Sequence, residues 1–300
     1  MYDLIIIGAG PAGITAAVYA ARKRMQCLVI SQDVGGQAAW SGDIENYTGY
    51  QFISGPDLVA KFEEHLHKYS IELKETEEVL EIKQSGKFFN LRTNKGSYQS
   101  KVVIIASGKR SKELGVPGEK ELKNKGLTYC ATCDGPLFSG KDVAVIGGGN
   151  SCLDAALQLE RIAKKIYIIN NTPNLGGDSI MREKVMEALN ITVFNNSKVL
   201  EVLGEKFVTG VRINVAGEKK DLSITGIFVE IGLKPNSDFT PVLDKNEAGE
   251  IKVNCKNETN IPGIFACGDV TSVEGKQIII AAGEGAKASL SAFRYLATQK

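Results

Sequence analysis

Apolar and polar positions follow the same order in two separate parts of the chain. Each part has a short apolar run, a glycine-rich turn, a stretch with apolar residues at helical spacing, and a second apolar run. These segments lie at 3–7, 8–13, 14–24 and 26–30 in the first part and at 142–146, 147–150, 153–162 and 166–169 in the second. The order strand, turn, helix and strand predicts two βαβ units.

Each predicted unit is followed by a segment rich in strand signals. Residues 71–105 alternate apolar and polar positions around glycine-containing turns, which predicts an antiparallel insertion, and 192–228 takes the corresponding place in the second unit. Proline and glycine at 111–119 and 232–239 indicate two linkers. If both linkers are hinges, the middle of the chain is an inserted domain.

The fold class is therefore predicted to be α/β, with two Rossmann-like, three-layer ββα dinucleotide-binding domains, the second inserted into the first. We place the first domain at 1–112 and 240–300, and the inserted domain at 113–239. A chain of 300 residues is long enough to bury two cores of this size.

Composition excludes some classes of partner. The 36 basic and 35 acidic side chains nearly cancel, so no overall charge attracts nucleic acid or an anionic membrane. No apolar run approaches the roughly 18 residues of a membrane span, and we expect a cytoplasmic protein. Six cysteines in so long a cytoplasmic chain do not indicate a disulfide framework, so the closely spaced pair Cys130 and Cys133 is a candidate for redox or metal chemistry.

The first glycine-rich turn is typical of a dinucleotide site. Gly8 permits the tight turn, Gly10 lets the backbone approach a pyrophosphate, and Gly13 lets the helix pack closely on the strand. Alone, the pattern also fits an ordinary glycine-rich loop. A later apolar strand ending in Gly268 and Asp269 adds a close backbone approach and a carboxylate that can accept from cofactor hydroxyls.

The motif CATCDG at 130–135 is the most specific feature of the sequence. A CxxC at the start of a helix favours the thiolate form of its first cysteine, and its spacing permits a reversible disulfide. The alternative is half of a zinc site. A zinc site needs four ligands, but the sequence has no second CxxC, and His65 and His67 are distant and on different faces of a helix. No metal site is therefore expected.

Several motifs together resemble the low-molecular-weight thioredoxin reductases, in the order and at the spacings of that family. They are GAGPAG at 8–13, VGGQAAWSGDIENYTGY at 34–50, VVIIASGKR at 102–110, CATCDG at 130–135, VIGGGN at 145–150, FACGDV at 265–270 and GKQIIIAAGEGAKASLSAF at 275–293. The resemblance covers nearly the whole chain. It implies an FAD-dependent thioredoxin-disulfide reductase, with thioredoxin as the protein substrate and a homodimer as the assembly.

The resemblance also implies roles for individual residues. Cys133 is the sulfur that faces flavin, Cys130 the sulfur that attacks the partner's disulfide, and Asp134 the nearby general acid and base. Ser31 stands where dinucleotide folds often have an acidic residue, a departure that the thioredoxin reductases share. The residues implied to bind FAD are Gly8, Gly10, Pro11, Ala12, Gly13, Ser31, Gly36, Gln37, Asn46, Ala106, Gly108, Gly268, Asp269, Lys276, Gln277 and Ile278.

The second glycine-rich turn departs from the family. An NADPH enzyme needs cations for the 2′-phosphate and an NADH enzyme needs an acid for the ribose hydroxyls, whereas 170–176 has NNTPNLG. Asn170 or Asn171 can still bond a ribose hydroxyl, and Arg182 is expected to be a solvated helix residue. We therefore do not expect NADPH to bind tightly. The pattern resembles the ferredoxin-dependent flavin thioredoxin reductases, which implies reduced ferredoxin as donor and partner.

Three alternatives stay open. They are an NADH- or NADPH-dependent thioredoxin reductase, a flavin redox sensor without turnover, and a flavin thiol oxidase. Because ferredoxins are usually acidic, docking is expected to use basic side chains, unless these are ordinary solvated residues. The two candidate groups are Lys109, Arg110 and Lys112, or Lys120, Lys123 and Lys125.

Overall fold

The computed structural model describes residues 1–41, 43–44 and 46–299, without the side chains of Trp40, Asp43, Thr132 and Cys133. Contacts divide the chain into two compact units. The first unit is Met1–Arg110 with Lys234–Lys300, and the inserted unit is Ser111–Leu233. Residues 234–239, which the sequence assigned to the inserted domain, belong to the first unit, where the Ser107 hydroxyl donates to the carbonyl of Asn236 and the Asn236 amide donates to the carbonyl of Ser107.

The elements run in chain order through both units. Up to the first linker they are β1 (Tyr2–Ala9), α1 (Pro11–Arg22), β2 (Cys27–Val34), β3 (Asp43–Ile44), β4 (Ile53–Ser54), α2 (Gly55–His67), β5 (Glu72–Lys74), β6 (Val79–Ser85), β7 (Phe88–Thr93), β8 (Ser97–Ile105) and β9 (Lys109–Ser111). The following elements are α3 (Glu119–Leu122), β10 (Leu127–Thr128), α4 (Ala131–Asp134), β11 (Asp142–Ile146), α5 (Asn150–Glu160), β12 (Lys165–Ile169), α6 (Ser179–Glu187), β13 (Ile191–Phe194), β14 (Ser197–Gly204), β15 (Val208–Val215), β16 (Glu218–Ser223), β17 (Gly226–Val229) and β18 (Leu233–Pro235). The last are β19 (Ile264–Ala266) and α7 (Ile278–Thr298).

The first unit is built on a parallel sheet with β1 in its interior. β2 and β5 continue the sheet on one side of β1, and β8 and β19 continue it on the other. The N-terminal half of β8 instead pairs antiparallel with β7, and β7 pairs with β6. The prediction of an antiparallel insertion at 71–105 is thus wrong for β5, which lies parallel to β2 because it closes a crossover through α2.

Both faces of this sheet are covered, which explains the uninterrupted apolar run in β1. Leu4 and Ile6 pack in a cluster with the alanines of α1 and α7, whereas Ile5 and Ile7 pack on the opposite side with Phe89 and other residues of the antiparallel strands. The glycine-rich turn is therefore held at the carboxyl end of a rigid, buried strand.

The inserted unit repeats this plan. Its parallel sheet has the order β10-β17-β11-β12-β13, and β14, β15 and β16 form a separate antiparallel sheet. α5 follows β11 as α1 follows β1, and Leu153 and Leu159 of α5 pack on Val143 and Ile166. The predicted α/β fold with two dinucleotide-binding plans is confirmed. Within the described residues, no helix is both long and apolar enough to cross a bilayer.

Candidate functional site

The glycines of the first turn have the conformations and spacing that a dinucleotide requires. Gly8 has a φ of +104°, and a Cβ there would lie 2.3 Å from the carbonyl oxygen of Ala106. A Cβ on Gly13 would lie 1.9 Å from the carbonyl oxygen of Gly8. A Cβ on Gly10, by contrast, would have the carbonyl oxygen of Gly35, 3.9 Å away, as its nearest neighbour. The turn is closed around Gly8 and Gly13 and open above Gly10, where a pyrophosphate would approach.

The end of β2 folds over this turn. The Ser31 hydroxyl accepts a hydrogen bond from Ala9 N–H at 3.1 Å, and Gly35 N–H donates to the carbonyl of Ala9 at 2.8 Å. Ser31 is buried and fixes the turn from within. Gly35 has a φ of +88° and a Cβ there would lie 2.5 Å from Val59, so this position also needs glycine, although the sequence prediction included only its neighbour Gly36.

Hydrogen bonds join predicted cofactor residues that are far apart in sequence. The Asn46 amide donates to Gln277 Oε1 at 3.0 Å, and the Gln37 amide donates to the carbonyl of Lys109 at 3.0 Å. Gly268, with a φ of +72°, approaches α1 so closely that a Cβ there would lie 2.9 Å from the Cβ of Ala12. The structure thus gathers these residues, with Pro11, Ala106, Gly108, Lys276 and Ile278, around the carboxyl end of the first sheet.

Sequence reasoning missed Gly285 of α7. A Cβ on Gly285 would lie 2.0 Å from the carbonyl oxygen of Ala12, so only glycine lets α7 cross α1 at this distance. The signal was present as a glycine inside a long helical pattern, but nothing in the sequence identified the second helix.

Asp269 is half-buried at the edge of the same turn. Burial raises the pKa of its carboxyl, and the charges of Lys276 and Lys109 act in the opposite direction. In the part of the chain that is described, no donor bonds this carboxylate. A half-buried acceptor without a protein donor fits the hydroxyls of a cofactor.

Glu250, absent from the sequence prediction, holds both of these lysines. It accepts from Lys109 at 2.9 Å and lies 3.1 Å from Lys276. Burial would raise the pKa of Glu250, but the hydrogen bonds from Lys109, Asn246 and Lys276 outweigh it and lower the pKa to about 2. Two positive charges are therefore fixed beside Asp269. Together, the open backbone above Gly10, the helix N-terminus and the unsatisfied carboxylate fit FAD.

The CxxC motif lies between a short strand and a single helical turn. Cys130 follows β10 and is disulfide-bonded, whereas the side chain of Cys133 lies outside the described residues. Cys27, Cys152, Cys255 and Cys267 are free. α4 spans only four residues, so its dipole is weaker than that of the longer helix assumed from the sequence. Side-chain contacts must therefore contribute more to positioning Cys130.

Thr128 supplies that contact. Its hydroxyl donates to the Asp134 carboxylate and accepts from Cys130 N–H at 3.2 Å, while Asp134 N–H donates to the carbonyl of Cys130 at 3.2 Å. Asp134 and Cys130 are thereby held together in one hydrogen-bonded group. Sequence reasoning missed Thr128 because a threonine at the end of a strand carries no signal of its own.

The segment before the motif is fixed by a buried carboxylate. Glu119 is 2% exposed and accepts from Leu114 N–H, Gly115 N–H and the Tyr129 hydroxyl, each at 2.7 Å. Burial and this contact raise the pKa of Tyr129. Glu119 therefore connects the segment after β9 to the residue that precedes Cys130.

The second glycine-rich turn has the backbone of the first but not its open space. A Cβ on Gly147 would lie 2.2 Å from the carbonyl oxygen of Glu230, as Gly8 meets Ala106 in the first unit. Above Gly148, however, a Cβ would lie 2.2 Å from Asn170 Oδ1. The side chain at the end of β12 thus lies directly against the turn.

Asn170 uses all of its hydrogen-bonding capacity within the protein. Its Nδ2 donates to the carbonyl of Thr172 at 3.1 Å and to Asn195 Oδ1 at 2.8 Å, and its Oδ1 accepts from Thr172 N–H at 3.3 Å and the Thr172 hydroxyl at 2.8 Å. It is 1% exposed. The expectation that Asn170 can bond a ribose hydroxyl is therefore wrong, because no donor or acceptor is left over; Asn171 is exposed and uncharged.

Two further groups surround this turn. Arg182 was expected to be solvated, but it is half-buried and donates to the carbonyl of Leu175 at 3.3 Å, so it braces the loop. Glu230 occupies the position of Ala106, and burial, followed by the charge of Asp154, raises the pKa of its carboxyl to about 7. A carboxyl group therefore stands where the first unit has a methyl group.

The two predicted docking groups differ in how free their charges are. Lys109 is 14% exposed and paired with Glu250, and Arg110 pairs with Asp238 at 2.6 Å. These two are engaged within the first unit. Lys120, Lys123 and Lys125 are exposed, and the Lys123 ammonium lies 5.0 Å from the ring centroid of Tyr129.

Residues 2–285 match the family model of the pyridine nucleotide-disulphide oxidoreductases. The chain belongs to this family. It is 39% identical over 298 residues to the NADH dehydrogenase of Bacillus subtilis (strain 168), covering 98% of this chain and 58% of that protein. It is 42% identical over 302 residues to an alkyl hydroperoxide reductase subunit of Pseudomonas putida, with the same coverage of 98% and 58%. The chain thus spans less than two thirds of the length of these relatives.

Solved thioredoxin reductases match over nearly their full length. The structure from Lactococcus lactis has a TM-score of 0.87 at 36% identity and covers 99% of this chain and 100% of its own. That from T. acidophilum has a TM-score of 0.84 at 38% identity, covering 100% and 99%. The ferredoxin-flavin thioredoxin reductase of Clostridium acetobutylicum has a TM-score of 0.55 at 30% identity, covering 99% and 98%.

Proposed function

We propose that this chain is an FAD-dependent thioredoxin-disulfide reductase whose electrons come from reduced ferredoxin rather than from NADPH. The redox segment around Cys130 supports the disulfide chemistry. The second glycine-rich turn, where the Asn170 side chain lies against Gly148, supports ferredoxin rather than NADPH as the donor. The cytoplasmic location and the homodimer stay predictions.

The redox segment supplies the groups that thiol–disulfide exchange needs. In the reduced enzyme the Cys130 thiolate attacks one sulfur of the partner's disulfide, which breaks that S–S bond and forms a mixed disulfide. Cys133 then attacks the Cys130 sulfur, which restores the enzyme disulfide and releases the partner as a dithiol. The partner gains two electrons and two protons, and Asp134, held by Thr128, transfers a proton to or from the Cys130 group.

FAD would supply electrons to the enzyme disulfide, because flavins accept single electrons and deliver pairs. Gly8, Gly10 and Gly13 would hold its pyrophosphate, and Asp269 would accept from its hydroxyls. Asn46 and Gln277 are already hydrogen-bonded to each other and would contact it as a pair.

The second turn supports a donor other than NADPH. No arginine or lysine occurs in 170–178, and Asn170 has no free hydrogen-bonding group for a ribose. Losing two or three charge-assisted contacts of about 1.5–3 kcal/mol each would weaken NADPH binding by about two orders of magnitude or more. Above the Glu230 pKa of about 7, the carboxylate would add repulsion toward a pyrophosphate.

A nucleotide-dependent enzyme is the second candidate. It is favoured by relatives whose names are NADH dehydrogenase and alkyl hydroperoxide reductase, at 39% and 42% identity. A redox sensor and a thiol oxidase use the same CxxC, but the sensor does not require the Asp134 network and the oxidase requires oxygen.

Anaerobic turnover tests the proposed function. With reduced ferredoxin as donor, the flavin-loaded chain should reduce oxidised thioredoxin catalytically, and Cys130→Ser should abolish this reduction while retaining flavin. Cys255→Ser, which changes an exposed free cysteine, is the matched control and should leave the rate unchanged. A sensor would give no turnover, and a thiol oxidase would consume oxygen when dithiols are added in air.

A further inference from the structure

Four exposed cations lie beside the redox segment. They follow this segment in the sequence, whereas Lys120, Lys123 and Lys125 precede it. They come from two stretches of the inserted unit, the loop before β11 and the end of α5 with the start of β12. This basic corner consists of Lys141, Arg161, Lys164 and Lys165.

Backbone hydrogen bonds fix the two stretches together. Gly140 N–H donates to the carbonyl of Ile162 at 2.9 Å, and Lys164 N–H donates to the carbonyl of Lys141 at 2.9 Å. Lys165 is the register partner of Asp142 in the β11–β12 pair. The four side chains therefore arise from one rigid corner of the fold and not from mobile loops.

The same corner is built onto the redox segment. Gly135, the residue after Asp134, packs on the end of α5, since a Cβ there would lie 3.4 Å from Leu159 and 3.7 Å from Ile162. Phe138 continues from it and packs edge-on against Phe228. The Lys141 ammonium lies 5.7 Å from the ring centroid of Phe138. A protein bound to Cys130 would thus meet the basic corner on the same unit.

The charges of the corner are not neutralised within the described part of the chain. None of the four forms a salt bridge there, including with the neighbouring acids Glu160 and Asp142. The C-terminal end of α5 favours a cation at Arg161, but this accounts for one charge rather than four. Leu137, between Gly135 and Phe138, is 68% exposed and adds an apolar surface.

We propose that the basic corner is the docking surface for the protein whose disulfide Cys130 reduces, and that this protein presents an acidic surface around its disulfide. The inference rests on the proposed function. The location favours the disulfide partner over the electron donor, since the corner and Cys130 belong to the same unit and the predicted FAD residues belong to the other. Charges of this kind act mainly on the association rate and are screened by salt.

The test measures a single transfer of electrons from the previously reduced chain to thioredoxin, with no ferredoxin or nucleotide in the mixture. The flavin-loaded chain is reduced anaerobically with dithiothreitol, freed of the reductant and mixed with an oxidised thioredoxin of net negative charge, and thiols are labelled after acid quenching. The variant removes the corner through Lys141→Gln, Arg161→Gln, Lys164→Gln and Lys165→Gln. The matched control changes four exposed lysines elsewhere in the inserted unit, through Lys184→Gln, Lys198→Gln, Lys206→Gln and Lys219→Gln.

The corner variant should react about tenfold more slowly at low ionic strength and lose most of its salt dependence, whereas the control should match the unaltered chain. Both should reduce a neutral small disulfide at the unaltered rate. Equal rates for corner variant and control would overturn the proposed surface. Slower flavin reduction by ferredoxin with unchanged transfer to thioredoxin would also overturn it. Failure of the unaltered chain to reduce thioredoxin at all would instead contradict the proposed function.

Discussion

Replacing Thr128 tests the geometry of the redox segment. Thr128→Val keeps the branched shape of the side chain and removes the hydroxyl that joins Cys130 N–H to the Asp134 carboxylate. The neutral bond to the backbone contributes about 1 kcal/mol, and the bond to the carboxylate about 1.5–3 kcal/mol. Their full loss in the transition state would slow exchange by about 70- to 1000-fold. Because these contacts also stabilise the ground state, only part of this energy is lost specifically in the transition state, and we expect about 10- to 100-fold.

The assay is the transfer of electrons from the dithiothreitol-reduced chain to oxidised thioredoxin, followed by thiol labelling. Thr128→Ser keeps the hydroxyl and should restore most of the rate. Thr209→Val removes an exposed hydroxyl from a hairpin of the same unit and serves as the matched control. A Thr128→Val rate within twofold of the unaltered rate, at unchanged melting temperature, would refute this account of Thr128.

Three other predictions address the cofactor turn, the lysine pair and the second turn. Gly13→Ala should destabilise the first unit by about 1–3 kcal/mol and lower its melting temperature by several degrees, because the new Cβ meets a backbone oxygen. The variant should also lose flavin. Gly86→Ala, at an open turn, is the control and should retain flavin. Glu250→Gln should cost on the order of 2 kcal/mol at pH 7. Because the folded pKa of about 2 lies below the ordinary 4.5, this stabilisation is present above pH 4.5 and should vanish as the pH falls toward 2, measured by urea unfolding. Asn170→Ala should lower the unfolding free energy by about 1–3 kcal/mol and leave flavin content unchanged; an unaltered unfolding free energy would contradict the role of its four hydrogen bonds.

The parallel sheets could be predicted because their strands are buried on both faces. β1 and β11 are continuous apolar runs ending in glycine-rich turns, and this pattern has few other interpretations. β5 was misassigned because its three residues are too short to carry a period, and its pairing with β2 depends on the crossover through α2.

The hydrogen-bonded contacts of the site could be predicted only in part. Asn46 and Gln277 were identified by motif, and the structure places them in contact, but their role in binding FAD stays a prediction. Thr128, Glu119 and Glu250 were missed, because their importance comes from partners that the fold brings to them. The pattern at 170–176 indicated that the expected cations are missing. It did not indicate that the Asn170 side chain would lie against Gly148 and form its hydrogen bonds within the protein.

The source of the electrons is tested most directly by anaerobic reduction of the bound flavin, measured by its bleaching with NADH, NADPH and reduced ferredoxin in separate mixings. Reduced ferredoxin should bleach the flavin promptly, while either nucleotide at about 100 μM should leave it oxidised, since residues 170–178 contain no arginine or lysine and the Asn170 amide is already engaged within the protein. Prompt bleaching by NADPH with micromolar affinity would contradict the account.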